Sequence, residues 1–141
     1  MKLSKLAQGL YGCLFSGALM SGCTFEAGLS TSPPSPDISG SITVRWTIAS
    51  TTSPVQCSYY GIDSLELVVY DEAGEPVVTT DAPCEAFSVR VELSPGVYHA
   101  DATLVDERKK PRSLTLPLND LEVKTGTDLA LDIDFPARSI L

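Results

Sequence analysis

The sequence is poor in the residues from which catalytic and metal sites are usually built. It contains a single histidine, His99, and four cysteines, none of which forms a Cys-x-x-Cys pair. Cys13 and Cys23 belong to the N-terminal segment treated below, and Cys57, Cys84 and His99 alone lack the third sulfur ligand or the Cys-x-x-Cys spacing expected of a zinc or redox centre. The chain also has no Gly-x-Ser-x-Gly motif, and its acidic residues do not follow the calcium-loop spacing. We therefore predict a protein that is not an enzyme and that has no metal and no cofactor.

One catalytic hypothesis stays open on residue types alone. Asp101 lies two positions after His99, so both side chains would point to the same face of a strand. A serine close to this pair would complete a serine–histidine–carboxylate site. No nucleophile motif accompanies the pair, and a solvated or sheet-face histidine is the preferred interpretation.

Long apolar runs and positive charge are also scarce. The longest apolar run, from Leu6 to Met20, spans about 15 residues, whereas a membrane-spanning helix needs roughly 20. The chain has 10 basic against 18 acidic residues. Such an acidic balance argues against nucleic acid as a partner, because phosphates require a basic face.

The N-terminal residues are typical of an export signal. Lys2 and Lys5 precede the apolar run, and Ser21 and Gly22 stand before Cys23. The segment Leu19-Met20-Ser21-Gly22-Cys23 resembles the lipobox of bacterial lipoproteins, although Met20 is less usual at its place. The resemblance implies a signal peptide over residues 1–22 and acyl chains such as palmitate on Cys23. An uncleaved N-terminal helix and an ordinary secretory signal are the alternatives.

The same resemblance implies a location in the cell envelope. Thr24 follows the lipidation site, and in lipoproteins of bacteria with two membranes a residue other than Asp at this place implies the outer membrane. A Ser- and Pro-rich linker then covers residues 23–39, with Pro33, Pro34 and Pro36 favouring an extended chain. The expected partners are therefore the membrane, through the lipid anchor, and envelope proteins or glycans.

Two cysteines, Cys57 and Cys84, remain after the signal peptide and the lipidation site are set aside. In an oxidising compartment such a pair favours a disulfide. If a hairpin turns near Gly74, Cys84 falls opposite Asp63, and Cys57 comes too early for a ladder partner. We therefore predict that the bridge staples the loop over residues 50–62, and does not join two neighbouring strands.

From Gly40 onward, apolar and polar residues alternate with a period of two, which is typical of strands with one buried face. Trp46 falls among the predicted core positions, whereas Asp132 and Asp134 fall on an outer face where they would protect a sheet edge. The pattern predicts an all-β, antiparallel sandwich of seven or eight strands over residues 40–136, with no helix between strands. Weaker strands are expected over residues 77–80, 113–118 and 121–124, and a C-terminal tail over residues 137–141.

Two resemblances bear on the fold. The segment Leu93-Ser94-Pro95-Gly96-Val97-Tyr98 resembles the turn and tyrosine corner of immunoglobulin-like and transthyretin-like sandwiches, in which the tyrosine hydroxyl ties a loop to the core. The order of features from Gly40 to Pro136 also resembles uncharacterised outer-membrane lipoproteins of the myxobacterial type. This likeness implies a fold and a compartment, and no activity.

Two segments are candidate binding sites. Tyr59 and Tyr60 follow Cys57, so a disulfide would hold two aromatic side chains rigidly at the surface. Arg108, Lys109 and Lys110 form a basic loop tip. These residues predict a non-catalytic structural or protein-interaction module, with small-ligand or carbohydrate binding as the alternative. A flat tyrosine patch favours protein contact, whereas a concave site with converging polar groups favours a ligand.

Overall fold

The computed structural model describes residues 39–141. The predicted signal peptide, the predicted lipidation site Cys23 and the predicted linker up to residue 38 lie outside the described residues. Within residues 39–141, no helix has the length and apolar character needed to cross a membrane.

Seven strands form two sheets that pack face to face. The strands are β1 (Gly40–Ile48), β2 (Ser64–Tyr70), β3 (Pro76–Pro83), β4 (Ser88–Leu93), β5 (Gly96–Val105), β6 (Leu116–Val123) and β7 (Asp128–Phe135). One sheet has the order β4-β1-β7 and the other the order β3-β2-β5-β6. This arrangement confirms the prediction of an all-β sandwich dominated by antiparallel pairs.

One strand pair is parallel, which the alternation of residues did not indicate. In the three-stranded sheet, β1 is antiparallel to β4 but parallel to β7, with Val44 opposite Leu131. Parallel neighbours need a long connection. Here the remainder of the domain provides it, because β1 and β7 are the first and last strands.

Residues 39–141 form seven strands and not eight, because one strand of the four-stranded sheet replaces two that the sequence predicted. Residues 116–123 form a single strand, β6, where the sequence predicted two weak strands over residues 113–118 and 121–124. The pairing of β5 with β6 shifts register between Tyr98 and Ala100, and Asp120 has a positive φ of 55°. This irregularity lets one strand continue through a stretch whose side-chain pattern looks interrupted.

The core lies between the two sheets. Trp46, at 1% exposure, occupies the predicted core position, and its ring lies 6.1 Å from that of Phe87. Leu65, Leu67 and Leu104 of the four-stranded sheet are fully buried against the same core. The apolar positions of the period-two pattern thus face inward.

The expectation that no helix lies between strands is wrong. A short helix, α1, covers Pro54–Tyr60, beginning with proline in its first turn. Gly61 caps its C-terminus with a left-handed φ of 64°, and the Gly61 N–H donates to the carbonyl oxygens of Cys57 and Ser58. Seven residues are too few for a 3.6-residue period to stand out, so sequence reasoning missed this helix.

The predicted disulfide joins Cys57 to Cys84, with the two Cα atoms 6.0 Å apart. It connects α1 to a single turn of 3-10 helix, Cys84–Ala86, and not one strand to its neighbour. The backbone N–H of Cys84 donates to the carbonyl oxygen of Asp63 at 2.9 Å, as the predicted register requires. The bridge therefore staples the segment between β1 and β2 onto the end of β3.

Candidate functional site

A cleft of about 610 Å³ opens at the end of the sandwich that carries α1. One wall is formed by the end of α1 and the residues after it, including Ser58, Gly61 and Asp63. The opposite wall is the loop between β5 and β6, here called the cationic loop (residues 106–112). Cys57 and Glu85, on either side of the disulfide, complete the lining. The two segments that the sequence singled out thus face each other across one concavity.

The cationic loop is shaped by Asp106. Its Oδ1 accepts hydrogen bonds from the backbone N–H groups of Arg108 at 2.8 Å and Lys110 at 3.0 Å. The bond from the Lys110 N–H is the main reason that the pKa of Asp106 is lowered from 3.8, because both bonds favour the ionised carboxylate. Lys109 completes the turn with a left-handed φ of 61°. These bonds fix the backbone of the loop from which the side chains of Arg108 and Lys110 line the cleft.

Lys109 does not belong to the cleft, although the sequence grouped it with its two neighbours. Its Nζ lies 2.7 Å from a carboxylate oxygen of Asp81 on β3. The hydrogen bond to Asp81 is the main cause of the raised pKa of Lys109. The left-handed backbone at this residue turns its side chain onto the sheet, so only Arg108 and Lys110 of the three predicted residues line the cleft.

The two tyrosines lie beside the cleft and differ in exposure. Tyr59 is 77% exposed, whereas Tyr60 is half-buried, and their rings meet edge to face with centroids 4.8 Å apart. Tyr60 thereby supports the ring of Tyr59. Neither ring lines the cleft itself, so the predicted aromatic contact is a neighbour of the concave site.

Arg112 connects α1 to the cationic loop, and sequence reasoning missed it. Its guanidinium group donates from Nη2 at 2.8 Å and from Nε at 3.2 Å to the carbonyl oxygen of Tyr60. The two residues are 52 positions apart, and no local pattern marks such a contact. In the sequence, Arg112 is distinguished only by its position two residues after the basic residues Arg108, Lys109 and Lys110.

The cleft offers charges of both signs that have no ion-pair partner. Within residues 39–141, no ion pair involves Arg108 or Lys110, nor Asp63 or Glu85 on the other side. Such side chains provide hydrogen-bond donors and acceptors that are free to meet a ligand. A ligand with many hydroxyl groups, or with both charges, matches this mixture.

The open catalytic hypothesis finds no assembled site in the described part of the chain. His99 is half-buried on the outer face of the four-stranded sheet, with its ring stacked on Tyr70 at a centroid distance of 5.0 Å and an angle of 11°. Across residues 39–141, no serine hydroxyl is hydrogen-bonded to His99. The same residues contain no group of three or more potential metal ligands.

Comparisons with known proteins reveal only a distant likeness. No protein-family model matches the sequence. No curated protein matches it. A solved structure that matches this chain weakly is a Bacteroides thetaiotaomicron protein of the DUF1812 group, to which polysaccharide binding is ascribed. The likeness has a TM-score of 0.42 at 11% sequence identity and covers 66% of this chain. It covers 46% of that protein, so this chain spans less than half of its length.

Proposed function

We propose that this chain is an exported envelope lipoprotein whose sandwich domain binds a polar ligand without catalysis. Carbohydrate is the ligand class that fits best. The observation that carries this proposal is the cleft between α1 and the cationic loop, where polar side chains converge from two walls. A concave site of this kind favours a ligand over a flat protein contact.

The volume and lining of the cleft fit a small polar molecule. About 610 Å³ lies within the range of ordinary ligand sites. Arg108 and Lys110 provide donors, and Asp63 and Glu85 provide acceptors. The lining includes four carboxylates, those of Asp63, Glu85, Asp106 and Glu107, beside the two cations, so a neutral polyol meets hydrogen-bond acceptors and donors together. The exposed ring of Tyr59 adds an apolar surface beside the polar groups.

The two walls of the cleft are rigid, which also favours binding. The disulfide holds α1 from one side, and the carboxylate of Asp106 holds the cationic loop from the other. A site that is ordered before the ligand arrives loses less conformational entropy on binding. These contacts therefore favour a site whose walls are already in place before a ligand binds.

The location is part of the proposal and is supported by the sequence. The charged start, the apolar run and the lipobox-like segment before Cys23 predict export and lipidation. The pairing of Cys57 with Cys84 is consistent with export, because structural disulfides persist in oxidising compartments. Mass spectrometry of the native protein would test this: we expect an acylated N-terminal Cys23, and an intact leader would contradict it.

Binding is tested by a glycan array followed by calorimetry on the full chain. We expect the Arg108→Ala/Lys110→Ala variant to lose about tenfold or more in affinity, because each charged hydrogen bond contributes about 1.5 kcal/mol or more. The matched control is Arg45→Ala/Lys124→Ala, which removes two cations that do not line the cleft. Equal affinities for both variants, or the absence of any bound glycan, would contradict the proposal.

One observation supports the function first predicted from the sequence, which is interaction with another protein. The ring of Tyr59 is largely exposed on a rigid helix, as contact residues often are. A pull-down from envelope fractions tests it with Tyr59→Ala/Tyr60→Ala beside Arg108→Ala/Lys110→Ala. A partner lost only with the tyrosine variant would favour protein contact over the cleft ligand.

A further inference from the structure

The three-stranded sheet has a free edge on each side. β1 lies at its centre, and β4 and β7 each pair only with β1 among the strands of residues 39–141. The carbonyl oxygens of Phe87 and Thr127, just before β4 and β7, accept N–H groups of β1. A trans peptide unit points its N–H away from its C=O, so the N–H groups of Ser88 and Asp128 face away from β1. Since backbone direction alternates along a strand, the even-numbered residues of β4 and β7 present their hydrogen-bonding groups to the free edges.

The core-facing side chains of β7 are incompletely covered. Leu129, Leu131 and Ile133 pack against the core but remain half-buried. On β4, by contrast, Val91 and Leu93 are buried. A strand added beside β7 would remove more of this apolar row from water, and that burial favours its addition.

The acidic residues of β7 do not shield its free edge. Their carboxylates bind side chains of β1, which lies on the opposite side, namely those of Ser41, Thr43, Arg45 and Thr47. β7 also contains no proline and keeps one register with β1 throughout. The free edge therefore lacks a protecting charge, although the sequence predicted that role for Asp132 and Asp134.

Strand β4 matches this edge in one antiparallel register, which places Arg90 of one copy opposite Asp132 of the next. The other outer pairs then set a hydroxyl against a carboxylate and a carboxylate against a methyl group: Ser88 with Asp134, and Glu92 with Ala130. These pairs join residues whose backbone groups point outward, as hydrogen-bonded pairs require. The inward pairs are all apolar: Val89 with Ile133, Val91 with Leu131, and Leu93 with Leu129. A slip by two residues in either direction would set Glu92 against an aspartate.

We propose that copies of this chain assemble head to tail, with β4 of one copy added antiparallel to the free edge of β7 of the next. Strand addition gains main-chain hydrogen bonds, and the alternate side chains determine the register. Arg90 is available for this contact, because it lies 3.9 Å from Asp128 of its own copy, beyond the length of a hydrogen bond. The occupant of the β7 edge is therefore a second copy of this chain.

The charges at the contact select β4 as the partner strand. Two arginines and four carboxylates lie on the outer face there: Arg45, Arg90, Glu92, Asp128, Asp132 and Asp134. In the proposed register no carboxylate directly faces another. The diagonal neighbours of Glu92 are Asp128 and Asp132, and both already bind side chains of β1. A second β7 would instead oppose Asp128 with Asp134 in the longest register that keeps the apolar faces together.

The remaining edge strands fit less well. Prolines, which lack a backbone donor, stand at both ends of β3 and within β6, at Pro76, Pro83 and Pro117. Two β4 strands could set Arg90 against Glu92, but that pairing would leave the apolar row of β7 uncovered. β4 of one copy on β7 of the next is the combination that satisfies both the charges and the apolar row.

The widths of the two sheets determine how successive copies are arranged. The four-stranded sheet is one strand wider than the three-stranded sheet. Neighbouring strands lie about 4.8 Å apart and packed sheets about 10 Å apart, so successive copies must be inclined by roughly 25–30° to accommodate the extra strand. Because the two surfaces in contact differ, the copies form a curved row and not a closed pair.

Disulfide trapping on the full chain tests the register. The variants Glu92→Cys and Ala130→Cys are mixed under oxidising conditions, and the cross-linked peptides are identified by mass spectrometry. We expect a disulfide between residues 92 and 130, because facing residues of a hydrogen-bonded pair have Cα atoms about 5.5 Å apart. Ser88→Cys mixed with Ala130→Cys is the control, since these exposed residues face each other only in a register four residues away. Equal yields for the two mixtures, or no bond between residues 92 and 130, would overturn the proposal.

Charge reversal tests the pair that selects the register. We expect Arg90→Asp and Asp132→Arg each to weaken association about tenfold in sedimentation experiments, and the double variant to regain it. Lys109→Asp reverses the cation of another exposed ion pair and should leave association unchanged. A loss that the double variant does not regain would overturn the proposal. An effect of Arg90→Asp without one of Asp132→Arg would overturn it in favour of pairing between two β4 strands.

The assembly and the proposed ligand site are independent. No residue of β4 or β7 lines the cleft between α1 and the cationic loop. Glycan binding should therefore be the same in Arg90→Asp, in Asp132→Arg and in the native chain. A chain that binds a glycan but gives no trapped pair would overturn the assembly alone, so the two proposals fail separately.

Discussion

The hydroxyl of Tyr98 donates a hydrogen bond of 2.7 Å to the backbone carbonyl oxygen of Ser94. The bond closes the turn between β4 and β5, while the ring of Tyr98 packs against the core. It confirms the tyrosine-corner contact expected from the segment Leu93–Tyr98. One polar atom on a half-buried ring thus ties a tight turn to the sandwich.

Removing this hydroxyl should weaken the fold by a measurable amount. We expect Tyr98→Phe to lower the free energy of unfolding by about 1 kcal/mol, because the carbonyl oxygen of Ser94 loses its side-chain partner. Urea denaturation followed by circular dichroism measures the change. Tyr59→Phe is the control, since no hydrogen bond of its hydroxyl is found in residues 39–141, and it should stay within about 0.5 kcal/mol. Equal losses in both variants would contradict the prediction.

Loss of the disulfide should lower the free energy of unfolding by more than loss of the Tyr98 hydroxyl does. The bridge closes a loop between residues 27 positions apart, which corresponds to about 3.5 kcal/mol in the chain-entropy model. We expect Cys57→Ser/Cys84→Ser to lower the free energy of unfolding by about this amount and to weaken ligand binding in the cleft, because α1 is released from Cys84. A reducing agent should reproduce the loss in the native protein.

The double-serine variant also serves as the control for reduction. A reducing agent should leave its denaturation midpoint unchanged, because it has no bridge to break. A midpoint that shifts equally in both proteins would show that reduction acts elsewhere. An unchanged affinity of the reduced native protein would contradict the role of the disulfide in shaping the cleft.

Asp106 should matter to the cleft beyond its effect on stability. We expect Asp106→Ala to lower ligand affinity about tenfold, because the N–H groups of Arg108 and Lys110 lose the acceptor that shapes the loop. Asp71 provides a matched control in the loop between β2 and β3. Its Oδ1 accepts the N–H groups of Ala73 at 2.9 Å and Glu75 at 3.0 Å.

Asp71→Ala therefore removes an equivalent pair of hydrogen bonds from a turn that does not line the cleft. Both variants should lose similar stability in urea, and only Asp106→Ala should reduce binding. Parallel losses of affinity would mean that the cleft responds to general destabilisation, and would contradict a specific role of Asp106.

Stability should fall in acid partly through Asp128. The hydroxyl of Ser41 donates to its carboxylate at 2.6 Å and is the main cause of its pKa being lowered from 3.8, followed by the hydroxyl of Thr43 at 2.8 Å. A carboxyl whose pKa is lower in the folded state stabilises the fold above its unfolded pKa. This contribution is lost as pH falls from about 4 through the folded value.

The measurement compares urea denaturation of the native protein and Asp128→Asn between neutral pH and pH values below the folded pKa. We expect the native protein to be more stable at neutral pH and its advantage to shrink steadily as the solution is acidified below about pH 4. Glu72→Gln is the control, because no hydrogen bond or ion pair of Glu72 is found in residues 39–141. An advantage that stays constant with pH would contradict the role of Asp128.

The strands were predictable, whereas several features that shape the site were not. Alternation of apolar residues identified the buried faces correctly, including the position of Trp46. The helix α1 was missed because seven residues are too short for its period to be seen. The division of the basic run was also missed: Lys109 turns to Asp81 because of a backbone angle that the residue type does not announce.

By itself, the sequence indicated which residues face the core and which two cysteines pair, and it predicted an export signal in the N-terminal segment. These properties depend on local period and composition, which are read directly from neighbouring residues. Only the tertiary structure decided that the segment after Cys57 and the cationic loop share one cleft, and that Arg112 joins them. Those contacts link residues far apart in the chain, such as Arg112 and Tyr60, which are 52 positions apart. They form only when the packing of the two sheets brings the loops at one end of the strands together.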